Sequence, residues 1–255
     1  MPGPCQNAPQ NAPRLVTLAL ALFVMACAAA PRPVTAPASA PASTAAPGAL
    51  HWARSAAEHR AIYLGTFRAA GDRLVALSNS PTARAWGVIL DADETVLDNS
   101  EYEAERVPFG GSYNAAEWNA WVARAQAPAL PGAVAFIDRV HQLGGKVVIV
   151  TNRDESSCHI TRTNFERVSI HADLVLCKTG TDDKNPRFDA VQLGTAAAGF
   201  PAITVMEWIG DNIQDFPHLS QGIRDDPDTA FAEFGRRFFA LPNAMYGSWQ
   251  RNPPR

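Results

Sequence analysis

The 255 residues carry 22 Lys and Arg against 25 Asp and Glu, a formal net charge of −3, and 47% of them are hydrophobic. A chain of this size buries one good-sized core, or one core and a small cap, which excludes two large domains. The near-neutral charge, with no Lys/Arg cluster, argues against a polymeric nucleic acid as partner, so what the protein binds is small.

Arg14 precedes LVTLALALFVMAC, an apolar run of signal-peptide length that is too short for a membrane span. The run ends at Cys27 in VMAC, which resembles a bacterial lipobox. Residues 1–27 are therefore expected to be a signal peptide with lipobox, with Cys27 lipidated; ordinary cleavage after an Ala of ACAAA is the alternative. Either route exports the protein, as an outer-membrane lipoprotein held to the membrane by its lipid anchor or as a periplasmic protein. Residues 28–49 are almost wholly Ala, Pro, Ser and Thr and read as a tether. The folded domain is expected over 50–255. It keeps two cysteines, Cys158 and Cys177. An oxidising compartment allows a bridge between them, but two cysteines make no disulfide scaffold, and the expectation leans against one.

Apolar spacing predicts a helix over Ser55 to Leu77. Strand-like runs then alternate with helical ones. GVIL leads into Asp91, KVVIV into Thr151, ADLVLC into Lys178 and AITVMEWIG into Asp211, with helices predicted over Ala133 to Leu143, Ser156 to Val168 and Phe188 to Ala198. No internal repeat is present. This alternation predicts an α/β fold with a parallel central sheet and helices on both faces. The roughly sixty residues between Asp91 and Thr151 are too many for a simple crossover. Tyr102, Phe109, Tyr113, Trp118 and Trp121 crowd into them, and a small, mainly helical cap over about 99–130 is expected.

Ligands of such sheets bind at the carboxyl ends of the strands. Three of the four predicted ends deliver polar residues at once: Asp91 with Asp93, Thr151 with Asn152 and Arg153, and Asp211 with Asn212 and Asp215. Carboxylates crowded as closely as Asp91, Asp93, Glu94 and Asp98 repel one another unless a cation or a reaction uses them.

Together, DADETVLDNSEY, EWNAW, PGAVAFI, VVIVTNRDE, DKNPRF, WIGDNIQDF and LPNAMYGSW resemble the class C acid phosphatases of the haloacid dehalogenase (HAD) superfamily, which include outer-membrane lipoprotein 5'-nucleotidases. HWARSAAEHRAI fits the same family. The resemblance implies a Rossmann-like HAD core and a magnesium-dependent acid phosphatase that hydrolyses small phosphomonoesters, nucleoside 5'-monophosphates among them. A broad phosphomonoesterase and a non-catalytic surface-binding lipoprotein are the rivals, and a homodimer stays open.

The residue chemistry fits these roles. Asp91 is the expected nucleophile, forming an aspartyl-phosphate, and Asp93 the acid and base. The resemblance implies that Mg²⁺ joins the Asp91 and Asp211 carboxylates, with the backbone carbonyl of Asp93 as a further ligand. Thr151 and the neighbouring Asn152 amide would hold phosphate oxygens, and Lys184 would neutralise phosphate charge; Lys178 is its competitor. Asp215 would hold Lys184 or a water on the metal, or cap a helix. Gln214 stands where the family usually has another acid. Glu94 and Asp98 read as a solvated turn or as helix N-terminal acids, and Asn99 as a loop-shaping residue. The resemblance implies that Trp118 and Tyr246 sandwich a nucleoside base. The alternative places Trp118 with Trp121 on one apolar face of a cap helix; Trp121 is assigned to packing and Trp118 to substrate.

Overall fold

The computed structural model describes residues 47–78, 85–109 and 113–254. The expected signal peptide, Cys27 and most of the tether lie outside these residues. Residues 47–49, counted with the tether, instead open the first helix.

The chain runs α1 (Pro47–Ser55), α2 (Ala57–Ser78), β1 (Trp86–Leu90), α3 (Ser100–Arg106), α4 (Ala115–Arg124), α5 (Ala133–Gln142), β2 (Lys146–Asp154), α6 (Cys158–Arg167), β3 (Leu174–Lys178), α7 (Asn185–Leu193), β4 (Thr204–Gly210) and β5 (Phe238–Ala240). The strands form one sheet in the order β3-β2-β1-β4-β5, and every pairing is parallel. Every residue of β1 is buried, as expected of a parallel strand covered on both faces. Val88 and Leu90 join the cluster beneath α2, α5 and α6, with Tyr63, Phe67, Leu74, Phe136 and Phe165, while Ile89 joins Phe188 and Val191 of α7 on the other face. β1 is central, and the chain leaves it towards β2 on one side and β4 on the other, which makes the ends of β1 and β4 the crevice where such sheets bind ligands.

The structure departs from the sequence expectations at β5, at the last helix and at the cysteines. β5 was not predicted: three residues, Phe238–Ala240, carry too short a pattern to mark a strand. The last predicted helix starts earlier and ends at Leu193, because Gly194, at φ 73°, caps α7 in the left-handed conformation. Cys158 and Cys177 correct the expectation against a bridge. They are joined in a disulfide, since α6 packs on β3 and brings their Cα atoms to 5.9 Å.

Glu207 lies inside the sheet, paired in register with Val88. It is 0% exposed, and neither carboxylate oxygen has a hydrogen-bond partner among the described residues. Burial dominates the attraction of Arg73 on α2 and raises its pKa from 4.5 to about 9. The unfolded chain releases this proton near 4.5, while the folded chain holds it to about 9. The stability Glu207 contributes is therefore complete below pH 4.5 and is lost as pH climbs through that window, at up to about 1.4 kcal/mol per pH unit. Glu207→Gln keeps the shape and removes the titration. Urea unfolding is expected to find the variant more stable than the wild type by on the order of 3 kcal/mol at pH 7, and equal to it near pH 4.5. A variant no more stable at pH 7 would count against a neutral Glu207.

Candidate active site

β1 delivers Asp91, whose backbone N–H donates to Ile209 O at 3.0 Å and so continues the β1/β4 ladder up to the site. Thr151 lies in β2, and Asp211 follows directly on Gly210, the last residue of β4. Lys184 sits at the N-cap position of α7, buried, with its ammonium paired to Asp91 Oδ1 and lying 2.6 Å from Asp215 Oδ1. Lys178 instead pairs with Asp154 and Asp182. Gly210 makes this arrangement possible: a Cβ there would fall 2.3 Å from Asp215 Oδ2. Asp215 Oδ2 accepts from the Asn212 N–H at 2.8 Å and closes a capping box on the turn Ile213–Asp215. Both Asp215 oxygens are thus engaged. Asp91 Oδ2 has no hydrogen-bond donor among the described residues.

Asp91, Asp211 and Asp215 each offer a carboxylate oxygen, and these oxygens lie within 4.8 Å of one another. Burial raises the Asp91 pKa to about 7; Lys184 opposes this, and the Asp215 and Asp93 charges add to it. Asp211 is pushed well above the carboxylate range, first by burial, then by Asp215 and Asp91, although Asn243 Nδ2 donates to it at 2.9 Å. For Lys184, burial works against the charge, but Asp215 and Asp91 outweigh it and raise its pKa. Three close acids against one ammonium can all ionise together only with a further cation beside them. An all-oxygen donor set of that kind fits a hard divalent cation.

Asp93 belongs to a second, adjoining network. Its Oδ1 accepts from Arg153 Nη2 at 2.7 Å, Arg153 Nε at 3.0 Å and Asn99 Nδ2 at 2.9 Å. Asn99 Oδ1 in turn accepts from Trp121 Nε1 at 2.8 Å and Arg153 Nη2 at 3.2 Å. Glu94 corrects the solvated-turn expectation. It is 3% exposed, sits at φ 53°, and accepts the Asn99 N–H on Oε1 at 2.8 Å, while its carbonyl accepts from Tyr63 at 2.6 Å. Burial then pushes its carboxyl well above the ordinary range. Asp98 is the N-terminal acid of the pair, accepting the Ser100 N–H at 2.8 Å where α3 begins.

Thr151 is fully buried, and its Oγ1 accepts from the Arg153 N–H at 3.1 Å, which leaves the hydroxyl proton free to donate. The Asn152 side chain is exposed and turned to Asp182 O (2.9 Å) and Arg187 Nη2 (2.6 Å). Trp118, on α4, is half-buried, 5.1 Å from the Tyr102 ring, with the Arg153 guanidinium 5.5 Å from its centroid. Trp121 is buried in the core. Tyr246 packs against the buried Leu50 and Met245 pair, and its hydroxyl is buried with no partner among the described residues. The two rings therefore lie on separate elements, Trp118 linked to Asp93 through Arg153, and Tyr246 linked to Asp211 through Asn243, whose Oδ1 accepts the Tyr246 N–H at 3.4 Å. Sequence reasoning gave Arg153 no task and did not single out Thr95 or Asn243, both of which donate to Asp211. The DADETVLDNSEY, VVIVTNRDE and LPNAMYGSW motifs contain all three residues.

A family model described as HAD superfamily, subfamily IIIB (acid phosphatase) matches residues 26–249. Among solved structures, the class C acid phosphatase from Bacillus anthracis superposes with a TM-score of 0.71 and 30% identity, covering 80% of this chain and 85% of that one. A tungstate-bound form from the same organism gives 0.71 and 29% over the same shares. Among curated relatives, acid phosphatase 1 of Solanum lycopersicum is 32% identical over 95 residues, 37% of each chain. The stem 28 kDa glycoprotein of Glycine max is 26% identical over 165 residues, 62% of this chain and 58% of that protein. The chain thus spans between about a third and three fifths of the length of these plant relatives. The family match runs from ahead of the first described helix to Trp249 and takes in every strand that builds the acidic site, so the chain belongs to the acid phosphatases of HAD subfamily IIIB.

Proposed function

We propose that the protein is a magnesium-dependent phosphomonoesterase that acts on nucleoside 5'-monophosphates through an aspartyl-phosphate. The observation that carries this reading is the convergence of Asp91, Lys184, Asp211 and Asp215 at the β1 and β4 ends, with one Asp91 oxygen tied to Lys184 and the other free. Asp91, Asp211 and the Asp93 carbonyl would hold Mg²⁺, which supplies positive charge against the phosphate. Lys184 and the Thr151 hydroxyl bind phosphate oxygens, joined by the backbone amide of Asn152, whose side chain is engaged elsewhere. The free oxygen of Asp91 attacks phosphorus as the ester bond breaks, and Asp93 gives its proton to the departing oxygen. Asp93 then takes a proton from the water that attacks the aspartyl-phosphate, releasing inorganic phosphate and restoring Asp91. The segment carrying α3 and α4 acts as the cap.

Trp118 and Tyr246 decide between nucleotide preference and broad specificity. The broad reading is favoured by one observation, the packing of Tyr246 against the buried Leu50 and Met245 pair. The test is a substrate panel on the tether-free domain, with EDTA and with Mg²⁺ restored. Turnover should vanish with EDTA and return with Mg²⁺. One base-aromatic stack is worth about 1 to 3 kcal/mol, so Trp118→Ala or Tyr246→Ala should lower kcat/KM for AMP by about 5- to 150-fold. A small aliphatic phosphate should lose much less. Equal losses on both, in variants that melt like the wild type, would assign the rings to holding the cap.

The same reading places the mature protein outside the cytoplasm on a lipid anchor. Its support is the apolar run ending at Cys27 and the Cys158–Cys177 bridge, which suits an oxidising compartment. No helix of the described residues is long and apolar enough to cross a membrane. Cys27→Ser should move the protein from the detergent phase to the aqueous phase, or block its maturation. Retention in the detergent phase would overturn the anchor.

A further inference from the structure

Arg153 is the most deeply buried cation near the site. Its side chain is 1% exposed, and among the described residues the one carboxylate it pairs with is Asp93, sixty positions earlier in the chain. A buried guanidinium loses its hydration and is retained only where its donors are matched. Here Nη2 and Nε both reach Asp93 Oδ1, Nη2 also reaches Asn99 Oδ1, and Nη1 reaches Thr161 Oγ1 at 3.4 Å. Trp118 covers the guanidinium from one side.

The distribution of donors over the two Asp93 oxygens is uneven. Oδ1 takes three hydrogen bonds, from Arg153 Nη2, Arg153 Nε and Asn99 Nδ2, all at 3.0 Å or less. Oδ2 takes a single long one, from Arg153 Nε at 3.3 Å. A carboxyl that passes a proton to a leaving group needs one oxygen free and aimed, and a planar fork gripping the other oxygen fixes that aim.

We propose that Arg153 is the positioning residue for Asp93, saturating Oδ1 together with Asn99 so that Oδ2 is the oxygen that exchanges the proton with the leaving group. The guanidinium spends its hydrogen bonds on Asp93, Asn99 and Thr161, which makes it a positioning residue rather than a phosphate ligand. The inference rests on the phosphomonoesterase reading, and its effect must follow the proton demand of the leaving group. Phosphate esters of good leaving groups depart without a proton, and those of alcohols do not. A residue that only bound phosphate would affect both alike, and one that only held α4 and its Trp118 in place would spare a small aliphatic phosphate, which has no base to stack but whose leaving group still needs the proton.

The experiment compares kcat/KM, which reports the step in which the leaving group departs, for p-nitrophenyl phosphate, for AMP and for a small aliphatic phosphate. Arg153→Lys keeps the charge and loses the fork. It is expected to lower kcat/KM for AMP and for the aliphatic phosphate by about 10²-fold and that for p-nitrophenyl phosphate by less than about 10-fold. In an Asp93→Asn background the same substitution should add no more than about 3-fold on AMP, because the residue it acts through is already gone. If Arg153→Lys fails to fold, Asn99→Ser, which removes one donor to Oδ1, is read by the same criteria with a smaller expected ratio. Equal losses on all three substrates, an undiminished rate on the aliphatic phosphate, or a full further loss in the Asp93→Asn background would overturn the positioning role. A wild-type enzyme inert on all three substrates would instead overturn the phosphomonoesterase reading, so the two failures are distinguishable.

Discussion

Asp91→Asn is expected to leave no measurable turnover, a loss on the order of 10⁵- to 10⁶-fold, comparable to removal of the nucleophile in other enzymes with covalent intermediates. The amide keeps the shape of the side chain but is a poor nucleophile and a weaker metal ligand. The structure adds a reason to expect the fold to survive. Asp91 is one of three mutually repelling acids within 4.8 Å, and Lys184 keeps Asp215 as a partner when Asp91 is neutralised. Acid-quenched wild type given phosphate-labelled substrate should carry label on the protein, and the variant should carry none. A thermal melt of the variant close to that of the wild type separates lost chemistry from lost structure. Label on Asp91→Asn would mean that another residue is the nucleophile.

The sheet was legible because its strands are apolar on both faces and end abruptly in polar residues. GVIL, KVVIV and AITVMEWIG mark β1, β2 and β4 by composition alone, and the residues that follow them meet because β1 lies between the other two. The edges were less legible. β5 is three residues long and depends on pairing with β4, a tertiary condition that no local pattern encodes. Glu94 misled for a related reason. In sequence it is one acid among four, and only its left-handed turn, which folds the carboxylate back under the Asn99 N–H, takes it out of solvent. Arg153 shows the limit most clearly. VTNR places it at a strand end, but its pairing with Asp93 crosses from β2 to the loop after β1, and a register for that contact is set by the sheet alone. The disulfide is the same case, since Cys158 opens α6 and Cys177 lies in β3.

Asp93→Asn is the second large effect, and it should divide the reaction into its two halves. The amide can still accept from Arg153 and Asn99 through its oxygen, so the local network is expected to persist. The metal should bind nearly as before, because the ligand assigned to this residue is its backbone carbonyl. What disappears is the proton that leaves with the alcohol and the base that activates water. Steady-state turnover of AMP should therefore fall by about 10²- to 10⁴-fold. With p-nitrophenyl phosphate the first half needs little help, so nitrophenol should appear in a rapid burst of about one equivalent per enzyme, followed by slow turnover limited by hydrolysis of the aspartyl-phosphate. Adding a small amine or alcohol nucleophile should not restore the slow phase to the wild-type rate, because the missing base must act at the position Arg153 holds. A variant that turns over AMP at near wild-type rates would remove Asp93 from the acid role. A variant slowed on p-nitrophenyl phosphate with no burst would place the defect before the phosphoenzyme, in binding or attack, and would move Asp93 from proton transfer to substrate placement.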